Sequence, residues 1–198
     1  MTTSPHLTQQ KHRKKGFTLT EIAIVLGIMG LILGAIWTAA AAVYNNQRVA
    51  HANTAVLQLA QATRTLYSSS ATITPASSDI TATLTNAGST PSDLGTTDPL
   101  TGPFPNGQTA VISDTDGNGF LVEMSGLDKA NCTALISALA GSSRDPGLFK
   151  ASAVASATPS TGDAVATGTP LAAAVSPATA VTTCNNTTNK VQFGFTLK

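Results

Sequence analysis

The stretch that decides the fold is residues 22–43, IAIVLGIMGLILGAIWTAAAAV. These 22 residues carry no charge, and the nearest charges are Glu21 before them and Arg48 after them. As a helix the run would be roughly 33 Å long, enough to cross a bilayer core of about 30 Å. A secretory signal cut near residues 40–42 is one interpretation, and a one-pass anchor is another. Signal-peptide apolar regions are shorter, about 7–15 residues, and neither interpretation explains a carboxylate at the edge of the run.

The charge of the chain is unevenly distributed around this run. Four basic residues and no acidic residue precede residue 17, whereas seven Lys/Arg and ten Asp/Glu follow it. A basic head before an apolar run is typical of an export signal or a membrane anchor whose basic end stays cytoplasmic. Only 11% of the 198 residues are charged, compared with about 25% in ordinary soluble domains. The few Lys and Arg form no patch, so the composition excludes a nucleic-acid binder that neutralises phosphates.

Helical periodicity continues beyond the apolar run. Apolar residues recur at steps of three and four, and polar residues occupy the other face; the apolar positions are Val49, Ala52, Val56, Leu59 and Leu66. No Gly or Pro interrupts residues 35–71. The pattern therefore predicts one helix of about 50 residues that ends near residues 68–70.

The rest of the chain predicts a small, loop-rich α+β head. Residues 71–107 are rich in Thr, Ser, Gly and Pro, which predicts a long surface loop with at most one short helical or strand turn. Residues 153–183 are a low-complexity Ala/Thr/Ser/Pro/Gly stretch. The regular elements that the pattern predicts are a hairpin of residues 109–113 and 120–124, a helix over 127–140 with Ser125 as its cap, and a strand over 191–197.

The junction before the apolar run resembles a known processing site. KKGFTLTE at residues 14–21 resembles the cleavage site of type IV prepilins and type II secretion pseudopilins. The resemblance implies that a prepilin peptidase cuts between Gly16 and Phe17, and that the new amine of Phe17 is N-methylated. Glu21 would then be the fifth mature residue, an assembly position in that family. A carboxylate that pairs with an amine inside an apolar bundle sets register more than stability.

The same resemblance implies a fold and a domain layout. It implies the α+β type IV pilin fold, in which a long N-terminal helix packs on a small antiparallel sheet with a disulfide-closed C-terminal region. The expected segments are the leader 1–16, the transmembrane and filament-core half of the helix 17–43, its amphipathic half 44–70, and a periplasmic or extracellular head 71–198.

The order of elements around the two cysteines has a finer resemblance, to type IVb pilins and especially the PilS-like pilins of conjugative thin pili. There a strand leads into a short helix with the first Cys, and the second Cys precedes a terminal strand. Here Cys132 follows the strand-like run at residues 119–122, and Cys184 precedes residues 191–193.

Two Cys on the side of the apolar run opposite the basic leader also indicate an oxidising compartment. A Cys132–Cys184 bridge would stabilise the head by roughly 4 kcal/mol in the chain-entropy model. The alternative is two unpaired thiols.

A short acidic loop contains candidate ligands for a cation. Asp114, Asp116 and Asn118, followed by Gly119, match the first half of an EF-hand-type Ca²⁺ loop. Ser125 occupies the twelfth position, where a bidentate Glu is needed. Asp-Gly and Asn-Gly are also ordinary hairpin turns, so the expectation is no cofactor, with Ca²⁺ as the alternative.

These features together favour a structural subunit of a type IV pilus for adhesion, motility, DNA transfer or aggregation. Its expected partners are copies of itself, the prepilin peptidase and the inner-membrane pilus assembly machinery. The expected location is the inner membrane of a Gram-negative-type bacterium and then the extracellular pilus. The alternatives are a minor pilin or pseudopilin, and a membrane-anchored periplasmic binding protein. An enzyme is not expected, because the three His lie at residues 6, 12 and 51 and the head has no His base.

Overall fold

The computed structural model describes residues 17–155 and 174–198. The first element is helix α1, Leu19–Leu66, which has no break. The chain divides into two compact units, Met1–Val43 and Tyr44–Lys198.

The described part of the first unit is helical from Leu19 onward, and its apolar side chains face outward. Ile22, Leu26 and Leu33 are each at least half exposed. By length and composition α1 is the one helix, within residues 17–155 and 174–198, that could cross a membrane. Thr38 donates its hydroxyl to the Ala35 carbonyl at 2.9 Å, and the helix continues without a break through this position.

The second unit contains a five-stranded antiparallel sheet in the order β1-β2-β3-β5-β4. Val122 and Phe193 are paired in register across β3 and β5, and the Phe120 and Phe195 ring centroids are 5.8 Å apart. The strand bounds are Leu100–Thr101 (β1), Gln108–Ser113 (β2), Gly119–Leu127 (β3), Leu148–Ala155 (β4) and Asn189–Thr196 (β5). The hairpin predicted around residues 114–119 and the final predicted strand are confirmed.

The described part of the second unit also contains three further helices and one 3₁₀ turn. The bounds are Thr81–Asn86 (α2), Ser92–Leu94 (the 3₁₀ turn), Lys129–Leu139 (α3) and Pro177–Thr183 (α4). Ser176 caps α4 by accepting the Thr179 backbone N–H at 3.2 Å. Pro177 is at its first turn, where a missing N–H costs nothing.

One face of the sheet packs against the second half of α1. The helix contributes a stripe of small and branched side chains: Ala52, Ala55, Val56, Leu59, Ala60 and Thr63. The sheet contributes Val122, Met124 and Phe193 from alternate positions, because successive strand residues point to opposite faces. Glu123 and Gln192 therefore lie on the other face.

The prediction that residues 71–107 form a surface loop was wrong for its apolar residues. These residues are spaced irregularly, so no helix or strand period predicted that they would be buried. All of them belong to the same hydrophobic core as α1 and the sheet: Ile73, Ile80, Leu84, Leu94, Leu100 and Phe104. Ile73 connects this segment to the hairpin loop, because its backbone N–H donates to the Gly117 carbonyl at 2.8 Å.

The predicted start of the Cys132 helix was also wrong. Leu127 belongs to β3, and the cap of α3 is Asp128, whose carboxylate accepts the Asn131 N–H at 2.7 Å. Ser125 instead accepts the Gln108 N–H at 3.0 Å. Strand β4 and helix α4 were not predicted, because their residues are mostly Ala, Ser, Thr and Val and carry no clear period. Residues 71–107 contain three short elements, α2, the 3₁₀ turn and β1, where at most one was predicted.

Candidate processing and assembly site

The start of α1 is closed by a reciprocal cap between Thr18 and Glu21. The Glu21 carboxylate accepts the Thr18 backbone N–H at 3.0 Å and the Thr18 hydroxyl at 2.9 Å. The Thr18 hydroxyl in turn accepts the Glu21 backbone N–H at 3.3 Å. This is the capping box that a Thr-x-x-Glu sequence forms, and it satisfies helix-terminal donors that would otherwise lack partners.

The cap places the carboxylate of Glu21 at the first turn of the helix, beside the residue that the prediction makes the mature N-terminus. Phe17 precedes the cap and is 84% exposed. Gly16 and the leader 1–16 lie outside the described residues. The role of Thr18 was not predicted, although the Thr-x-x-Glu spacing before an apolar run is a signal for such a cap.

The helix beyond the cap offers an apolar surface with three small gaps. Gly27, Gly30 and Gly34 each have nothing within 4 Å of where a Cβ would lie. Gly30 and Gly34 form a small-xxx-small pair, a spacing that lets a second helix approach closely. Glu21 is the only charged residue in 17–43.

A disulfide joins Cys132 to Cys184, with their Cα atoms 5.9 Å apart and both residues fully buried. Cys132 lies in α3, and Cys184 directly follows α4. The predicted pairing is therefore present, and it ties α3 to the segment that leads into β5. The two cysteines are separated by 52 residues along the chain.

Arg64, in the last turn of α1, forms a second set of contacts that connects distant parts of the head. Its guanidinium donates two hydrogen bonds to the Asp145 carboxylate, at 3.0 and 3.1 Å, and a third to the Thr196 carbonyl at 3.0 Å. The same group lies 5.7 Å from the Phe195 ring centroid. This contact was not predicted, because nothing in the sequence spacing links residues 64 and 145.

The predicted cation ligands lie in the loop between β2 and β3. Asp114 is fully buried, and its Oδ1 accepts the Asp116 backbone N–H at 3.2 Å. Its Oδ2 is buried with no hydrogen-bond partner in the described part of the chain. Asp116 and Asn118 are exposed. Among residues 17–155 and 174–198, no cluster of three or more His, Cys, Asp or Glu could hold a metal ion.

Residues 11–37 match the family described as the prokaryotic N-terminal methylation motif. No curated protein matches the chain. The matched segment covers the predicted junction, the Thr18–Glu21 cap and residues 22–37 of the apolar run. The motif indicates a type IV pilin-like or pseudopilin-like substrate of the prepilin peptidase. Such subunits are structural and generally non-enzymatic.

The fold agrees with this class. The long helix packed on an antiparallel sheet, together with the disulfide, makes an α+β architecture of the type IV pilin kind. The apolar helix and the motif suit a membrane-anchored precursor and a pilus.

Proposed function

We propose that the chain is a structural subunit of a type IV pilus, cut between Gly16 and Phe17, methylated on Phe17 and polymerised through residues 17–43. The observation that carries the proposal is the methylation motif over residues 11–37, joined to an exposed apolar segment, residues 17–43, whose one charged residue is Glu21. An apolar surface of this extent needs either lipid or other helices around it.

The proposal gives each segment a place. Residues 1–16 are the leader that is removed. Residues 17–43 cross the inner membrane and then form the filament core. Residues 44–70 and 71–198 form the part of the subunit outside that core. Copies of the chain are the main partner, and the prepilin peptidase and the inner-membrane assembly machinery act on the precursor. The compartment is the inner membrane of a Gram-negative-type bacterium, followed by the cell exterior.

Processing is tested by the mass and N-terminal sequence of the mature protein. We expect a chain that begins at residue 17 and carries one methyl group on the Phe17 amine. Gly16→Val should leave the uncut precursor, whereas Gly30→Ala, a matched change within the apolar run, should be cut normally. A mature N-terminus near residue 43, or an uncut Met1 start, contradicts the proposal.

Assembly is tested at Glu21. In lipid the carboxylate has only its own cap for a partner, whereas in a filament it could meet the Phe17 amine of a neighbouring subunit. We expect Glu21→Val to be inserted and cut but to be nearly absent from sheared surface filaments. Glu21→Asp, with a shorter reach, should fall between. Normal piliation by Glu21→Val would refute a directing role for this carboxylate.

The second candidate is a minor pilin or a type II secretion pseudopilin, which the same motif also fits. The element order favours the first candidate and the PilS-like type IVb subclass, because β3 leads into α3 with Cys132, and Cys184 leads into β5. Abundance separates the candidates. A major pilin should dominate the protein of sheared filaments, and a trace amount there would favour the minor or secretion role.

A Ca²⁺ site at Asp114, Asp116 and Asn118 is a further proposal, supported by the buried, unpartnered Oδ2 of Asp114. A cation there would offset the cost of a buried carboxylate oxygen. We expect Ca²⁺, but not Mg²⁺, to raise the melting temperature of the wild type. Asp114→Asn should abolish the shift and melt higher than wild type in chelator, whereas Asp98→Asn should keep the shift. An equal Ca²⁺ response in Asp114→Asn would exclude the site.

A further inference from the structure

A buried polar network occupies the face of the sheet opposite α1. Glu123 on β3 is directly paired with Gln192 on β5, and Lys190 lies two residues before Gln192 on the same face. The Lys190 Nζ is 3.3 Å from Glu123 Oε2. The Gln192 Nε2 donates to Glu123 Oε1 at 2.6 Å. The carboxylate of Glu123 therefore has an amine at one oxygen and an amide N–H at the other.

This pair is unusually well excluded from water. The side chain of Glu123 is 0% exposed and that of Lys190 is 2% exposed. Removing two opposite charges from water is costly, and their mutual attraction often fails to offset the whole cost. Transfer of one proton from the ammonium to the carboxylate removes both charges. It also produces a neutral amine held against a carboxylic acid, which are the two reactants of an amide bond.

The orientation of Gln192 fits such a reaction. Its Oε1 accepts from Lys150 Nζ and from Ser152 Oγ, each at 3.2 Å. These two donors identify the oxygen end of the side-chain amide, so its N–H end faces Glu123. A fixed N–H donor at the carbonyl oxygen stabilises the negative charge that develops when a nucleophile adds. The amine is held in place on the other side by the sheet register.

We propose that Lys190 and Glu123 join in an intramolecular amide cross-link between β5 and β3. The Nζ lone pair attacks Cδ of Glu123, and Oε1 carries the developing charge against the Gln192 N–H. The Cδ–Oε2 bond then breaks. Oε2 leaves as water with two protons, one already on the acid and one from Nζ. An ammonium and a carboxylate become one amide and one water, so neither an oxidant nor an activating nucleotide is required.

The product replaces a buried ion pair by a neutral bond. It joins the adjacent strands β3 and β5 covalently, with Glu123 nine residues before Cys132 and Lys190 six residues after Cys184. The cross-link concerns the head alone, so it stands or falls independently of whether the chain assembles into a pilus.

Intact mass of the full-length processed protein, with the disulfide reduced, tests the proposal. We expect the wild type to be lighter by one water than its processed sequence requires. Trypsin does not cut after an acylated lysine, so residues 151–198 should stay uncut at Lys190 and remain joined to residues 65–129. A wild type of full calculated mass that is cut after Lys190 overturns the proposal.

Two variants test whether the water is lost in a reaction at Lys190. Lys190→Arg keeps the positive charge but provides no amine that acylates, so it should have the full calculated mass. Lys129→Arg, a matched change at an exposed position, should keep the loss of one water. A loss of water that persists in Lys190→Arg would place it elsewhere in the chain and overturn the assignment.

Discussion

Arg64 connects three parts of the head that are far apart in sequence. One guanidinium contacts the loop before β4 through Asp145, the end of β5 through the Thr196 carbonyl, and the Phe195 ring. The planar fork of Arg donates in parallel to a carboxylate, which a lysine ammonium cannot do. The same guanidinium lowers the pKa of Asp145 below its ordinary value of 3.8, chiefly through these hydrogen bonds.

This shift predicts how stability depends on pH. Because the folded pKa of Asp145 is depressed, its contribution is complete above pH 3.8 and is lost as the pH falls through the folded pKa. We expect Asp145→Asn to lower the free energy of unfolding by about 1.5 kcal/mol at pH 7. The difference from wild type should shrink as the pH falls below 3.8. Urea unfolding at several pH values measures both.

The pKa of Asp98 is shifted in the opposite direction from that of Asp145. Burial, and then the nearby Asp79, raise the pKa of Asp98 above 3.8, so its charged form disfavours the folded state as the pH rises. Asp98→Asn should therefore raise the free energy of unfolding at pH 7 and have little effect at acid pH. The same pH response in both variants would contradict the assignment of these two shifts.

At the scale of elements, the cap of α3 gives a direct test. Asp128 accepts the Asn131 N–H through its carboxylate at 2.7 Å. We expect Asp128→Ala to cost about 1 kcal/mol of stability, the usual value for loss of an N-cap side chain. Lys129→Ala, one residue further and exposed, serves as the control and should change stability little. Chemical denaturation compares the two, and equal effects would argue against the cap.

Two glycines have the same backbone conformation but different surroundings. Comparing them separates the cost of a side chain at positive φ from the cost of a steric clash. Gly117 has φ +68° and Gly88 has φ +65°, both in the left-handed region. A Cβ on Gly117 would lie 2.5 Å from the Ile73 carbonyl oxygen, whereas nothing lies within 4 Å of one on Gly88. Gly88→Ala should cost about 1 kcal/mol, from conformation alone.

Gly117→Ala should cost about 2 kcal/mol more, because it also displaces Ile73 from the hairpin. Thermal melting of the two alanine variants beside wild type gives the comparison. Equal losses would show that the Gly117–Ile73 contact does not hold the segment after α1 in place.

How far an element could be predicted depended on how it is stabilised. The apolar run, the hairpin with its Asp-Gly turn and the alternating β5 have strong local patterns, and the prediction found them. The strand β4 and the core positions of residues 71–107 have no such pattern, because their place is decided by pairing with β5 and by the space under α1. At the site, the KKGFTLTE junction was readable from sequence. The side chains that meet around Arg64 and Glu123 come from elements that are distant in sequence, so these contacts could not be predicted.

At the scale of the whole molecule, the disulfide should provide a large part of the stability of the head. The bridge joins residues 52 apart, and closing a loop of this size is worth about 4 kcal/mol in the chain-entropy model. We expect the double variant Cys132→Ser, Cys184→Ser to lose about that amount and to become sensitive to protease. Reduced wild type should match the double variant. Equal protease resistance with and without reductant would contradict this role.

The position of β5 has a consequence for how the protein is made. It is the last described strand to leave the ribosome, yet it lies between β3 and β4. Until it arrives, β3 and β4 have no common neighbour, and both present open edges on which other chains could add. A polypeptide interrupted before residue 189 therefore cannot close its sheet, however well its earlier segments fold. Synthesis through β5 is therefore a condition for closing the sheet, and copies that stop before it should be degraded by proteases.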